Sequence, residues 1–379
     1  MKRMLSILLA LVMILSLAAC GNGGETDPQG GETAGEYKVA MITDYADITD
    51  QSFNQSSYEG CKAYCEPNGI ALNYFKPLQD ADAERIAMVD AAISSGYNII
   101  VLPGYAFGPT IVASAEMYPD VKFIALDVSA ADLGEGYVVP ENVYSAIYQE
   151  ELCGYMAGYA AVKMGYKHLG FMGGMAVPAV VRFGYGYTQG VNAAARELGI
   201  ENEVVLEYVY ANAFQGDADI TAVMDTWYQE MGVEVVFSCA AGAYTSVAEA
   251  AAKVDGKLIG VDVDQKAIID GTYGEGMTLT SAMKGLSATV EATLKDIIEN
   301  DNWAAYGGRI ETLGVISAED PAGNYVQIPY DSTAWNETFT QEDYKAILTG
   351  ILDGSIVVSN DITAMPDVAI TVNTHANIK

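Results

Sequence analysis

The chain has 379 residues, 50 acidic against 19 basic, for a formal charge of −31, and only two of its residues are histidines. This balance leaves no basic face for nucleic acid, disfavours a polyanionic ligand such as a nucleotide, and offers too few imidazoles for a His-based metal site. No metal or cofactor is expected, and the length suits two domains of about 150 to 170 residues better than one.

At the amino end Lys2 and Arg3 precede an apolar run from Leu5 to Leu17, and Leu17-Ala18-Ala19-Cys20 follows directly. The run is shorter than the ~20 apolar residues of a membrane span, so residues 1–19 read as a signal peptide. Leu-Ala-Ala-Cys resembles the lipobox of bacterial lipoproteins. That implies export, a lipidated Cys20 as the mature N-terminus, and a place on the outer face of the cell membrane. Residues 20–36 have no apolar periodicity and are rich in Gly, Glu and Thr, the composition of a flexible tether.

From residue 37 onward, short β-branched runs alternate with amphipathic segments. Strands are predicted at Val39 to Thr43, Ala71 to Phe75, Ile99 to Leu102, Phe123 to Asp127 and Val143 to Ile147. A second series follows at Leu169 to Met172, Val204 to Tyr208, Val233 to Phe237, Leu258 to Val261 and Met277 to Thr280. Helical periodicity falls at Asp82 to Ser94, Glu150 to Met164, Thr188 to Leu198, Ile220 to Met231, Thr245 to Val254 and Leu286 to Asn300. Such alternation predicts an α/β fold with parallel sheets and right-handed crossovers, here as two doubly wound lobes. The first lobe is expected to hold residues 37–130 plus 265–310, and the second 131–264 plus 311–379. Cys61, Cys65, Cys153 and Cys239 lie in apolar or helical contexts and read as buried thiols.

Ligands of open parallel sheets collect at the carboxyl ends of the strands. Asp44 follows the first predicted strand, Gly104-Tyr105-Ala106-Phe107 the third, Asp127 ends the fourth, and Asp262-Val263-Asp264-Gln265 follows a strand of the second series. Carboxylates and aromatics suit an uncharged, flat ligand that bears hydroxyls.

Asp44-Tyr45-Ala46-Asp47-Ile48-Thr49-Asp50-Gln51-Ser52-Phe53-Asn54 resembles the start of the basic membrane protein family, which includes purine nucleoside receptor lipoproteins. Gly173-Gly174-Met175, with Arg182-Phe183-Gly184-Tyr185-Gly186-Tyr187 downstream, is similar to the family's Gly-Gly-Met segment and its glycine-rich helix. Gly260-Val261-Asp262-Val263-Asp264-Gln265 and Ser281-Ala282-Met283-Lys284 are similar to two further blocks. The resemblance runs from about Val39 to Lys284 and weakens beyond Asn300. It implies a type I periplasmic-binding-protein fold, no catalysis, a nucleoside ligand, and ABC permease and ATPase subunits as partners. Ala240-Ala241-Gly242-Ala243-Tyr244 departs from the family's Ala-Gly-Gly-Thr-Gly, and Tyr148 stands where many members have Phe. The Ala240–Tyr244 loop is expected to border the ligand.

The side chains give these expectations a physical form. Phe53 and Phe237 are expected to clamp a base, each base–aromatic contact contributing ~1 to 3 kcal/mol. Asp44 and Asn54 are expected to meet the base edge, and Asp262 and Lys284 the ribose. Gly104 and Asp127 complete the candidate ligand-binding set, and Asp264 and Gln265 read as capping or inter-lobe residues. Gly184-Tyr185-Gly186 with Gly190 lacks the spacing of a dinucleotide fingerprint. No Gly-x-Ser-x-Gly elbow with a serving histidine is present. A sugar or small signalling molecule is the alternative ligand, a sensor passing ligand-induced closure to a signalling partner is an alternative role, and an extracellular nucleoside hydrolase is the alternative class.

Overall fold

A computed structural model describes residues 37–379, so the signal peptide, Cys20 and the tether lie outside the described residues. The first series runs β1 (Lys38–Ile42), α1 (Phe53–Cys65), β2 (Ala71–Phe75), α2 (Asp82–Ser94), β3 (Ile99–Pro103), α3 (Gly108–Ser114), β4 (Lys122–Leu126), α4 (Ala130–Leu133) and β5 (Val143–Tyr148). The second runs α5 (Glu150–Lys163), β6 (His168–Gly173), α6 (Pro178–Leu198), β7 (Val205–Tyr210), α7 (Ala218–Asp225), β8 (Val235–Cys239), α8 (Tyr244–Ala251), β9 (Lys257–Asp262), α9 (Lys266–Tyr273) and β10 (Thr278–Lys284). Then come α10 (Leu286–Glu299), β11 (Arg309–Leu313), β12 (Val326–Gln327), α11 (Gln341–Asp353) and β13 (Thr371–Thr374).

Two sheets result, ordered β11-β5-β4-β3-β1-β2 and β12-β10-β9-β8-β6-β7-β13. Apart from the antiparallel β10–β12 pair, the strand pairs among the described residues are parallel. β3 and β8 are buried along their whole length, as strands covered by helices on both faces must be. Within each sheet the five-strand series takes the same order: fifth, fourth, third, first, second.

The expected partition into lobes needs correction at three places, the smallest being residues 311–313, which stay in the first sheet as the end of β11. Residues 131–148 were assigned to the second lobe, yet β5 pairs with β4 in the first sheet. Residues 265–284 were assigned to the first lobe, yet β10 pairs with β9 in the second. Each series completes a fifth parallel strand before the chain leaves its sheet, so the crossings fall one strand later than expected. The chain changes sheet after Tyr148, after Lys284, and again between β11 and β12. α10 then returns to the first sheet's side, burying Leu286, Val290, Leu294 and Ile297 from one helical face. It comes close enough to α1 that a Cβ on Gly60 would meet the Ser287 backbone.

α6 starts at Pro178 rather than Thr188, with proline in its first turn where the missing N–H is harmless. α5 and α6 are in backbone contact: a Cβ on Gly154 or Gly158 would strike the main chain of α6, and one on Gly186 or Gly190 the main chain of α5. Within the Gly-Tyr-Gly-Tyr sequence Gly186 serves this contact, while Gly184 makes room for the Tyr208 and Phe171 side chains. The segment predicted as one helix over Ile220 to Met231 divides into α7 and a π-helical turn over Thr226–Met231. Cys61, Cys65, Cys153 and Cys239 are buried and unbridged. Among the described residues, no helix is long and apolar enough to cross a membrane.

Candidate ligand-binding site

The strand ends of both sheets face one cleft, which holds about 1070 Å³ of empty space including its open side. From the first sheet come Asp44, Phe53, Asn54, Gly104 and Asp127; from the second come Asp262 and Lys284. Seven of the eight expected ligand residues therefore share one cavity. Gly104 has φ of 122°, a turn that a side chain would strain, and its N–H donates to the Leu126 carbonyl at 2.8 Å.

Phe237 is the exception. It is fully buried in the second sheet and packs edge-on against Phe171 and Phe183, at ring distances of 5.4 and 5.9 Å. β8 continues through Cys239, so the strand end lies two residues beyond Phe237, and Cys239, Ala240 and Ala241 reach the cleft in its place. The aromatic rings that the second lobe does bring to the cavity are Phe183 and Phe214. Gly174 makes room for Phe214, whose ring would collide with any Cβ there.

The Asp50-Gln51-Ser52-Phe53-Asn54 stretch works as a helix cap. Asp50 accepts hydrogen bonds from the backbone N–H groups of Ser52, Asn54 and Gln55 at 2.9–3.0 Å, and from Asn54 Nδ2 at 2.9 Å. These satisfy donors that an α-helix leaves orphaned at its start and set Phe53 and Asn54 at the cleft. Asn54 in turn donates to Asp44 Oδ1 at 3.1 Å, and that oxygen also accepts from the N–H groups of Tyr45 and Ala46 at 2.6 and 2.8 Å. Burial raises the Asp44 carboxyl in spite of these bonds. Its other oxygen, Oδ2, has no partner among the described residues and is the one free to meet a ligand.

At the inner end Lys284 is the hub. Its ammonium forms an ion pair with Asp127 Oδ2 and lies 3.4 Å from Glu150 Oε1 and 3.8 Å from Asp262 Oδ1. It also stands 4.9 Å from the Phe53 ring, 5.3 Å from Phe183 and 5.7 Å from Tyr148, within cation–π range of all three. Burial alone would lower the lysine, but the three carboxylates outweigh it and hold it protonated. Burial raises the Asp262 carboxyl, while Lys284 and the Ser52 hydroxyl, which donates to Oδ2 at 2.6 Å, pull it back. The Ser52–Asp262 bond joins the lobes. So does Gln265 Nε2, donating to the Gln51 carbonyl at 3.1 Å, whereas Asp264 accepts from the backbone N–H of Lys266 at 3.1 Å.

Sequence reasoning missed Glu150 and Arg182. Arg182 Nε donates to Glu150 Oε2 at 2.6 Å, and the Glu150 side chain is fully buried behind Lys284. The glycine contacts of α5 and α6 bring the two helices close enough for that pair, and the small-x-x-x-small spacing of Gly154/Gly158 and Gly186/Gly190 was the available signal. Taken together, the cavity offers carboxylate acceptors, one ammonium and aromatic faces, which can orient a neutral ligand rich in hydroxyl and N–H donors.

The chain is similar to known proteins in sequence and in fold. The ABC transporter nucleoside-binding protein BmpA of Lactococcus lactis subsp. cremoris is 26% identical over 372 residues, spanning 94% of this chain and 99% of the relative. Basic membrane protein B of Borreliella afzelii is 26% identical, over 74% of this chain and 79% of its own. A crystal structure of an ABC transporter system solute-binding protein from Aeropyrum pernix K1 superimposes with a TM-score of 0.64 at 23% identity, covering 86% of this chain and 88% of that one. That likeness is one of fold, the two-lobed type I periplasmic-binding-protein architecture. Residues 37–318 match the family described as ABC transporter substrate-binding protein PnrA-like, and the chain belongs to this family, Bmp.

Proposed function

We propose that this substrate-binding protein captures nucleosides, purine nucleosides foremost, between its lobes and delivers them to the permease and ATPase subunits of an importer. A lipid on Cys20 holds it at the outer face of the cell membrane. The observation that carries the ligand reading is the pairing of two ends in one cavity. Asp44 with its free oxygen beside Asn54 suits the N–H edge of a base, and Asp127, Asp262 and Lys284 suit vicinal hydroxyls and a ring oxygen. Phe53 supplies an aromatic wall from the first lobe, with Phe183 and Phe214 on the second. The name of the Lactococcus relative, a nucleoside-binding protein, supports the same choice.

The magnitudes allow it. Stacking at ~1 to 3 kcal/mol per contact and charge-assisted hydrogen bonds at ~1.5 to 3 exceed the ordering costs enough to leave about −8 kcal/mol, a micromolar affinity. Calorimetric titration with inosine, guanosine, uridine, guanine, ribose and glucose tests the reading. Nucleosides should bind most tightly; tighter binding of ribose or glucose would overturn it in favour of a sugar. Chromatography of the same mixtures should return intact nucleoside, and released base would make the protein a hydrolase.

A further inference from the structure

We propose that Glu150 is a positioning residue that makes ligand capture proton-linked: it acts through Lys284, and it takes up a proton as the first lobe brings Asp127 onto the cluster. The inference rests on the nucleoside reading only for the choice of ligand.

The argument starts from which lobe holds each charge. Glu150 at the start of α5, Arg182 on α6, Asp262 at the end of β9 and Lys284 at the end of β10 all belong to the second lobe. Among these four groups two carboxylates already match two cations, and Glu151, also buried on α5, adds a further carboxyl beside Arg182. Asp127, at the end of β4, belongs to the first lobe and joins the cluster across the cleft through its ion pair with Lys284, so a movement that parts the lobes would withdraw it. Closure therefore adds one buried negative charge with no new cation. Two carboxylate oxygens, Asp127 Oδ1 and Glu150 Oε1, are then buried without a hydrogen-bond donor. A proton on Glu150 removes the excess charge, and ligand hydroxyls remain to supply Asp127.

The tyrosine, the two thiols and the ammonium around Glu150 do not compete for that proton near neutrality. Tyr148 on β5, Cys153 on α5 and Cys239 on β8 are buried, and burial pushes all three well above their ordinary values, so they stay neutral. Glu151, next along α5, is raised by burial and faces Arg182 rather than Lys284. Lys284 is held protonated. Burial pushes the Glu150 carboxyl up to about 7, with Asp127 adding to the rise and Lys284 and Arg182 opposing it. Opening the cleft withdraws the Asp127 contribution, so Glu150 holds its proton more tightly in the closed, liganded form than in an open one.

The sign follows. A group with the higher pKa in the bound state favours binding at low pH, so affinity is greatest below neutrality and falls as pH rises through about 7. Uptake of a full proton would weaken binding by at most about tenfold per pH unit in that window. Glu150→Gln copies the protonated carboxyl in shape and charge. It should bind inosine at pH 8 as tightly as the unaltered protein does at pH 6, with a flat profile between. Damage to the site would instead lower affinity at every pH.

The test is calorimetry of inosine binding at pH 6, 7 and 8, each in two buffers of different ionisation enthalpy, on the unaltered protein and on E150Q. Proton uptake near pH 7 in the first and its disappearance in the second are expected. Zero uptake in the unaltered protein, or an E150Q profile parallel to it, would overturn the proposal. If no nucleoside binds at any pH, the nucleoside reading fails by itself, and the proton link is judged without ligand. A carboxyl raised above its ordinary 4.5 stabilises the fold at low pH and loses that contribution as pH rises through about 7. The melting temperature of the unaltered protein should then fall relative to E150Q between pH 5 and 8, and a gap that does not change with pH would sink the proposal.

Discussion

Asp127 and Asp262 are structural counterparts. Each lies at the carboxyl end of the fourth strand in its sheet's five-strand series, each has left-handed backbone, with φ of 59° and 64°, and each faces the Lys284 ammonium. A left-handed non-glycine residue costs of order 1–3 kcal/mol, so two at matching points show that the fold holds both carboxylates on the Lys284 ammonium against that cost. Asp262→Ala should weaken nucleosides far more than free bases, because only nucleosides bring hydroxyls to that carboxylate. Titration of inosine against hypoxanthine measures the difference, and equal losses for both would remove the ribose role.

Lys284→Met should destabilise the fold as well as abolish binding. It would leave Asp127, Glu150 and Asp262 buried together without their shared cation. Removing one partner from a buried ion cluster costs about 3–5 kcal/mol. Urea unfolding measures the loss, and a change below ~1 kcal/mol would mean that the carboxylates protonate without penalty.

Phe53 and Phe237 should separate binding from stability. Phe53 lines the cavity, so Phe53→Ala should weaken nucleoside and free base alike by roughly 5- to 150-fold, the equivalent of ~1 to 3 kcal/mol. Phe237 is fully buried between β6 and α6 side chains, so Phe237→Ala should cost about 3–5 kcal/mol of stability. Thermal melts and titrations on the two variants check the contrast.

Both histidines of the chain converge on Glu207. His168 Nε2 lies 3.0 Å and His375 Nε2 2.5 Å from its carboxylate, and Asn373 Nδ2 donates at 2.9 Å. Burial would raise this carboxyl, but those three partners together hold it below its ordinary 4.5. Its contribution to stability is therefore present above 4.5 and lost as pH falls through the lower folded value. Glu207→Gln should melt earlier than the unaltered protein at pH 7, and the gap should close as the pH is taken below 4.5.

Cys20→Ser should release the protein from the membrane fraction or leave the precursor unprocessed. Fractionation and the mass of the mature N-terminus check this, and unchanged membrane association would refute lipid anchoring.

The alternating pattern made both sheets legible, since period-2 and period-3.6 runs are local properties of the chain. Sheet membership was not, because nothing local says whether a fifth strand stays or crosses; β5 and β10 were both misplaced for that reason. Asp44, Asp127 and Asp262 could be read because they sit at strand ends, and Phe53, Asn54 and Lys284 because they fall in the segments that resemble the family. Phe237 was misread through a two-residue error in where β8 stops. Glu150 and Arg182 depend on contact between two helices whose residues are 32 positions apart, a relation visible only in the glycine spacing. The tail over Asp361 to Lys379 carried no recognisable pattern, since β13 is a short edge strand whose partner, β7, precedes it by more than 150 residues.

The second sheet ends on β12 at one side and on β13 at the other, and both strands come after residue 318, where the family match stops. One continuous carboxyl-terminal segment thus closes off both open rims of the lobe. A protease cut near residue 318, with loss of everything after it, would bare β10 and β7 together. β7 would present unpaired N–H and C=O groups over Val205 to Tyr208 and β10 at Met283 and Lys284, the template on which separate chains join strand to strand. Fragments of that kind should gather into aggregates rather than persist as a smaller binding protein, so the segment protects the lobe from its own copies.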